Sequence, residues 1–222
     1  MARALTNTSL RAAAEFLASR DRDLAFVFER HGPPPLWSRE PGFSTLIHII
    51  LEQQVSLASA ASMFERLKRS IIPLNPERLI DLGELHLKSL GLTRQKTAYC
   101  LHLAETLRDN QLDLMRFSRI SDDEVKTRLM RVKGIGSWSA DVYLLMVLRR
   151  PDIWPAKDLA LATAAFRLKR LRQRPTPERL MGLGEKWRPF RSVAARMLWQ
   201  FYLAEQKSNK RARGKPAILT SS

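Results

Sequence analysis

Val132-Lys133-Gly134-Ile135-Gly136-Ser137-Trp138-Ser139-Ala140 is followed by Trp154-Pro155-Ala156-Lys157-Asp158-Leu159-Ala160-Leu161. Two glycines one residue apart, then a small hydroxyl residue and an apolar helical run, predict a tight turn feeding a helix N-terminus. Gly134 and Gly136 can take positive φ and let a backbone approach closely, because neither carries a Cβ. Ser137 can cap the second helix. Backbone N–H groups at such a start can hold a phosphate, helped by about half a positive charge from the helix dipole. Lys133 adds a formal charge. A plain helix–turn–helix with a glycine C-cap is the simpler account of the turn. Asp158, beside a second helix start, has a simpler account too, as a cap. Both can hold at once, since an ionised cap carboxylate can also stabilise a cationic sugar or activate water.

The chain has 222 residues and a formal charge of +16. It is long enough for one substantial core or two small lobes. A pI near 10.8 points to a polyanionic partner, with nucleic acid first. The single cysteine, Cys100, excludes an intramolecular disulfide and a four-cysteine zinc or iron–sulfur site. His31, His48, His86 and His102 are scattered without metal-ligand spacing, so no side-chain metal site and no cofactor is expected. The start lacks the apolar core of a signal peptide, and no apolar run is long enough for a bilayer. The expectation is an intracellular protein with no membrane partner, in cytoplasm or nucleoid if bacterial.

Apolar residues recur at helical spacing throughout, and no convincing alternating strand appears, so the fold class is all-α. Ser9 can cap a first helix, and His31-Gly32-Pro33-Pro34-Pro35 stops a second. Phe43 to Leu51 is apolar on more than one face and reads as the buried core helix. Beyond Glu52-Gln53-Gln54, Val55, Ala58, Ala61 and Phe64 resume helical spacing to about Ser70. Asn75-Pro76-Glu77, Thr93 and Ser121-Asp122-Asp123-Glu124 open further helices. Later helices are expected from Trp138 to about Arg149, from Asp158 to about Leu171, from Thr176-Pro177-Glu178, and from Trp187 to about Glu205. The end carries Lys207, Lys210, Arg211, Arg213 and Lys215 and no acid. It reads as a basic disordered tail over 206–222. Subtracting its five charges from +16 leaves +11, so the rest of the chain is basic too.

Taken together these residues resemble the helix-hairpin-helix DNA glycosylase superfamily, and within it the DNA-3-methyladenine glycosylase II group. Ile50-Leu51-Glu52-Gln53-Gln54-Val55-Ser56 looks like the family's Gln-rich helix junction. Gly91-Leu92-Thr93-Arg94-Gln95-Lys96 looks like its Gly-Leu-Ser-Arg-x-Lys segment. The Gly134–Ala140 run with Asp158 looks like its hairpin and catalytic acid. Trp187-Arg188-Pro189-Phe190-Arg191-Ser192-Val193-Ala194-Ala195 with Trp199 looks like its C-terminal helix.

The resemblance implies a two-lobed all-α fold with the active cleft between lobes. It implies an N-terminal helical segment over 1–32 and a glycosylase domain over 33–205. Asp158 would be the catalytic acid. Trp138, Trp199, Tyr143 and Trp154 would line the base pocket, with Trp199 stacking on the flipped base. Gln54, with Gln53 beside it, would wedge into the vacated stack. Lys133, Gly134, Gly136 and Ser137 would hold DNA phosphate, and the turn carbonyls can hold a structural sodium or potassium ion. Trp138 falls where bifunctional relatives carry a nucleophilic lysine, so no Schiff base is expected there. The implied activity is monofunctional: a monomer acting on damaged double-stranded DNA would excise alkylated purines, such as 3-methyladenine and 7-methylguanine, in base excision repair. Three departures bear on substrate range: the larger bacterial form has an N-terminal β-rich domain and a pocket tyrosine where Val142 stands here. Its wedge is leucine where this chain has Gln54. Rival readings are a non-catalytic DNA-binding protein, a glycosylase for oxidised, deaminated or mismatched bases, and a basic ribosome-associated protein.

Overall fold

The computed structural model describes residues 4–213. All regular elements among them are helical. They are α1 (Asn7–Ala18), α2 (Arg22–His31), α3 (Phe43–Glu52), α4 (Leu57–Ser70), α5 (Pro76–Ser89) and α6 (Arg94–Arg108). Then come α7 (Asp122–Met130), α8 (Ser137–Met146), α9 (Leu159–Leu168), α10 (Pro177–Gly184) and α11 (Arg191–Arg213). Short 3₁₀ turns occupy Met115–Arg119 and Glu185–Trp187. The chain divides into two compact units. Trp37–Ile153 forms one and carries α3 to α8; Leu5–Leu36 and the chain from Trp154 onward form the other.

In the first unit α3 is the core helix. It buries Phe43, Leu46, Ile47, Ile49, Ile50 and Leu51, which cover more than one face, and it packs on α4, α6 and α8. Each such side chain contributes about 1.5–3 kcal/mol by leaving water. Arg39 closes the C-terminal end of α3 with a two-pronged pair to Glu52 at 2.6 and 2.9 Å. Arg150, almost fully buried, pairs with Asp122 at 2.9 Å and donates to the Ile120 carbonyl at 3.0 Å.

In the second unit α11 is the common partner of α1, α2 and α9. Leu10, Ala13, Ala14 and Leu17 of α1 and Leu24 and Val27 of α2 are buried. α1 and α2 belong to the same unit as α9 and α11, and both pack on α11. Asp21 caps α2, accepts the Trp187 indole N–H at 2.9 Å, and pairs with Lys186 at 2.6 Å and Lys169 at 3.4 Å. Burial alone would raise the Asp21 pKa, but these donors and cations outweigh it and hold the carboxyl at about 2.

Several expected details differ. Thr6 caps α1, and Ser9 sits at the third helical position as its reciprocal partner. Val55 precedes α4, and the buried face of that helix is Ala60, Met63 and Leu67, with Ala58 and Ala61 exposed. A run of alternating small residues there leaves the face ambiguous in sequence. α8 stops at Met146, because Leu148 N–H turns back to the Tyr143 carbonyl and Arg149 takes a φ of 53°. Trp187 lies in a 3₁₀ turn, and α11 starts only at Arg191, after Pro189, which has no N–H to give. α11 also continues to Arg213, into the stretch expected to be disordered; Gln, Lys, Ala and Arg are all good helix formers. Residues 214–222 of that stretch lie outside the described residues. No helix among the described residues is long and apolar enough to cross a membrane.

Candidate active site

The hairpin lies in the first unit. After α7, Val132 N–H bonds the Leu129 carbonyl and Ile135 N–H bonds the Val132 carbonyl, both at 3.0 Å, closing the turn. Gly134 has a φ of 91°, and a Cβ there would lie 2.2 Å from the Tyr99 ring. It must be glycine on both counts. Gly136 differs from expectation: its φ is −92°, and a Cβ would meet nothing within 4 Å. It is the N-cap of α8 and makes no side-chain bond, and Ser137 is the first helical residue rather than the cap. A glycine cap leaves the first-turn amides of α8 uncovered by any capping side chain, and such amides have no intrahelical acceptor. Lys133 is exposed beside them.

The two glutamines after α3 divide the work expected of both. Gln53 Nε2 donates to the Gly134 carbonyl at 2.8 Å and to Ser139 Oγ at 2.9 Å. It ties the α3 end to the hairpin. Gln54 is exposed, with a left-handed φ of 56° that few non-glycine residues adopt. Lys96 is buried and gives its ammonium to the Leu51 carbonyl at 2.5 Å, satisfying the C-terminal end of α3. Burial lowers its pKa. Tyr99, one turn along α6, packs under Gly134 and accepts from Gln95 Nε2 at 2.7 Å. One helix thus supports both the glutamine junction and the turn. The Gly91–Lys96 segment showed Lys96, but its partner could not be read from sequence, and Tyr99 carried no sequence signal at all.

The acid lies in the second unit. Asp158 caps α9; its Oδ1 accepts the Leu161 amide at 2.8 Å and the Trp199 indole N–H at 3.1 Å. It is 8 % exposed. Trp199, from α11, is therefore a partner of the acid as well as the aromatic expected near it. Trp154 anchors the strand of chain leading to Asp158. Its indole N–H donates to the Leu180 carbonyl at 2.9 Å and its ring meets Trp187 edge-on at 5.2 Å. Gly184 makes room, since a Cβ there would lie 2.7 Å from the Trp154 indole nitrogen.

Three of the four expected pocket aromatics, Tyr143, Trp154 and Trp199, are buried. Trp154 is 4 % exposed and fully engaged as described. Tyr143 is completely buried in the first unit and packs edge-on against Phe117 at 5.9 Å. Burial pushes its hydroxyl up to about 12. A large aromatic in an apolar stretch of sequence fits core and pocket equally. Trp138 is half-buried on the first turn of α8. A hollow of about 410 Å³ between α6 and α7 includes none of the predicted residues. Among the described residues no group of three His, Cys, Asp or Glu side chains can hold a metal.

Comparison with known proteins agrees with this geometry. The profile of the HhH-GPD superfamily base excision DNA repair proteins matches residues 47–189. DNA-3-methyladenine glycosylase 1 of Schizosaccharomyces pombe is 27% identical over 201 residues, covering 87% of this chain and 88% of that one. A putative DNA-3-methyladenine glycosylase of Bacillus subtilis, YfjP, is 24% identical over 185 residues, 80% of this chain. The match spans 64% of the length of that relative. Among solved structures, the S. pombe 3-methyladenine DNA glycosylase in complex with abasic DNA superposes with a TM-score of 0.81 at 27% identity. That superposition covers 85% of this chain and 95% of the other.

Proposed function

The chain belongs to the HhH-GPD superfamily of base excision DNA repair proteins, and on that premise we propose that it is a monofunctional DNA glycosylase that excises alkylated purines from double-stranded DNA. The observation that carries this is Asp158: a nearly buried carboxylate, held by the Leu161 amide and the Trp199 indole, downstream of the glycine hairpin. The similarity to 3-methyladenine glycosylases of yeast and bacteria supports the substrate class.

The hairpin grips the backbone through the α8 amides and Lys133, and Gln54 enters the stack that the target nucleotide leaves. Flipping costs a few kcal/mol and least for a damaged base, which is itself a source of selectivity. A 3-methyl or 7-methyl purine is already cationic and leaves without a strong general acid. What the reaction needs is an anion for the oxocarbenium-like sugar and a route for water, and Asp158 supplies both. Its Oδ1 accepts from the Leu161 amide and the Trp199 indole, which fixes the carboxylate in place. Trp199 beside it offers an electron-rich face to the cationic base, worth about 0.5–2 kcal/mol. Trp138 is assigned to the base pocket by its place after the hairpin. A monovalent cation fits the turn: the Val132 and Gly134 carbonyls each accept one hydrogen bond and keep a second lone pair. When bound it would add positive charge toward the phosphate.

No lysine stands at position 138 to form a Schiff base. Borohydride treatment of the enzyme with a damaged duplex is therefore expected to trap no covalent adduct, and the abasic strand is expected to stay unbroken until alkali is added. Lys133→Ala is expected to weaken binding across all sequences alike and to lower the dependence of log affinity on log salt by about 0.9, one phosphate contact. Equilibrium binding over a salt series checks it. Chromatography of the bases released from methylated duplex DNA tests the assignment as a whole.

A further inference from the structure

The chain between α9 and α10 reads Lys169-Arg170-Leu171-Arg172-Gln173-Arg174-Pro175-Thr176. α9 ends in a paired turn: Leu171 N–H bonds the Phe166 carbonyl at 3.0 Å and Arg170 N–H bonds the Arg167 carbonyl at 3.2 Å. Arg170 has a φ of 48°, in the position where such turns favour glycine. At the other end Pro175 is buried, and Thr176 caps α10 by accepting the Arg179 amide at 3.3 Å. Both ends of the loop are thus fixed, which holds its side chains on a defined piece of backbone.

The charges here fall into two groups. Lys169 is neutralised by Asp23 at 2.7 Å and Asp21 at 3.4 Å, and Arg167 by Glu205 at 3.0 Å. Arg170, Arg172, Arg174 and Arg179 are exposed, and none forms an ion pair with a described residue. Glu178 is the only acid between Lys169 and Arg179, and Thr176 and its own backbone amide hold its carboxyl. Arg170, Arg172 and Arg179 line, with Leu171 and Gln173, a shallow hollow of about 500 Å³. Four uncompensated positive charges this close repel one another in the free protein. A guanidinium fork matches two phosphate oxygens at once.

We infer that the α9–α10 loop is a second DNA-backbone contact, made by the unit that carries Asp158 and independent of the hairpin residues. The inference rests on the reading of the chain as a DNA glycosylase. Its partner is the phosphate backbone of duplex DNA, with no base reading.

The test uses the full chain carrying Arg170→Asn, Arg172→Gln, Arg174→Gln and Arg179→Gln; asparagine keeps the left-handed turn without the charge. Binding to undamaged duplex DNA is measured over a salt series, and single-turnover base release is measured at saturating DNA. The expected result is a slope of log affinity against log salt lowered by about 2 to 4, since each phosphate contact contributes about 0.9, with release at saturation unchanged. A slope within about 0.5 of the parent's overturns the second contact and leaves the excision reading standing. A loss seen with duplex RNA and absent with DNA also overturns it. A parent chain that binds DNA and releases no modified base overturns the excision reading, while the slope still decides the loop.

Discussion

Asp158→Asn is expected to lower base release from methylated DNA by about 10²–10⁴-fold, the usual worth of a positioned acid or base, and to leave duplex binding unchanged. The substitution separates chemistry from structure. Asparagine caps a helix about as well as aspartate, so the Leu161 amide keeps its acceptor. The Trp199 indole N–H keeps one too, because the amide oxygen stands where Oδ1 stood. What disappears is the negative charge opposite the developing sugar cation. Single-turnover release and equilibrium binding, run on the same preparation, check both halves. Retained release would remove Asp158 from the reaction; lost binding would make it a structural residue.

Gly134→Ala is expected to cost about 3 kcal/mol and about 10 °C in melting temperature. About 1 kcal/mol is the price of a Cβ at positive φ. The rest comes from forcing that Cβ into the Tyr99 ring, a typical overpacking penalty. Duplex affinity should fall with it, since the turn that presents the α8 amides is displaced. Gly136→Ala is the paired measurement. Its backbone is extended and the space beside it is open. Melting should hardly move, while affinity falls because the methyl stands where a phosphate approaches. Equal melting losses at both positions would contradict the division of labour between the two glycines.

The fold was largely legible because its signals are local. Proline and glycine punctuation, caps such as Asn75, Thr93 and Thr176, and the apolar run of α3 all act within a few residues. Asp158 was legible on the same ground, as a helix cap close after Pro155. What sequence could not show was the partner of a side chain far along the chain. Gln53 and Gln54 are neighbours with the same side chain, yet one braces a carbonyl 81 residues away and the other faces solvent. The burial of Trp154 and Tyr143 was hidden for a similar reason. Their burial depends on Gly184 and Phe117, which only the tertiary structure places beside them. Both glycines of the pair can take positive φ, but only Gly134 uses it, and Gly136 serves by lacking a side chain.

The central claim is that this chain removes alkylated bases by hydrolysis at Asp158. It is tested most directly by incubating the full chain with methylated duplex DNA and identifying the released bases by chromatography. The account predicts free 3-methyladenine and 7-methylguanine from the parent chain, strands left unbroken, and no release above background from Asp158→Asn. Tight binding to the methylated duplex with no modified base released by the parent would contradict it.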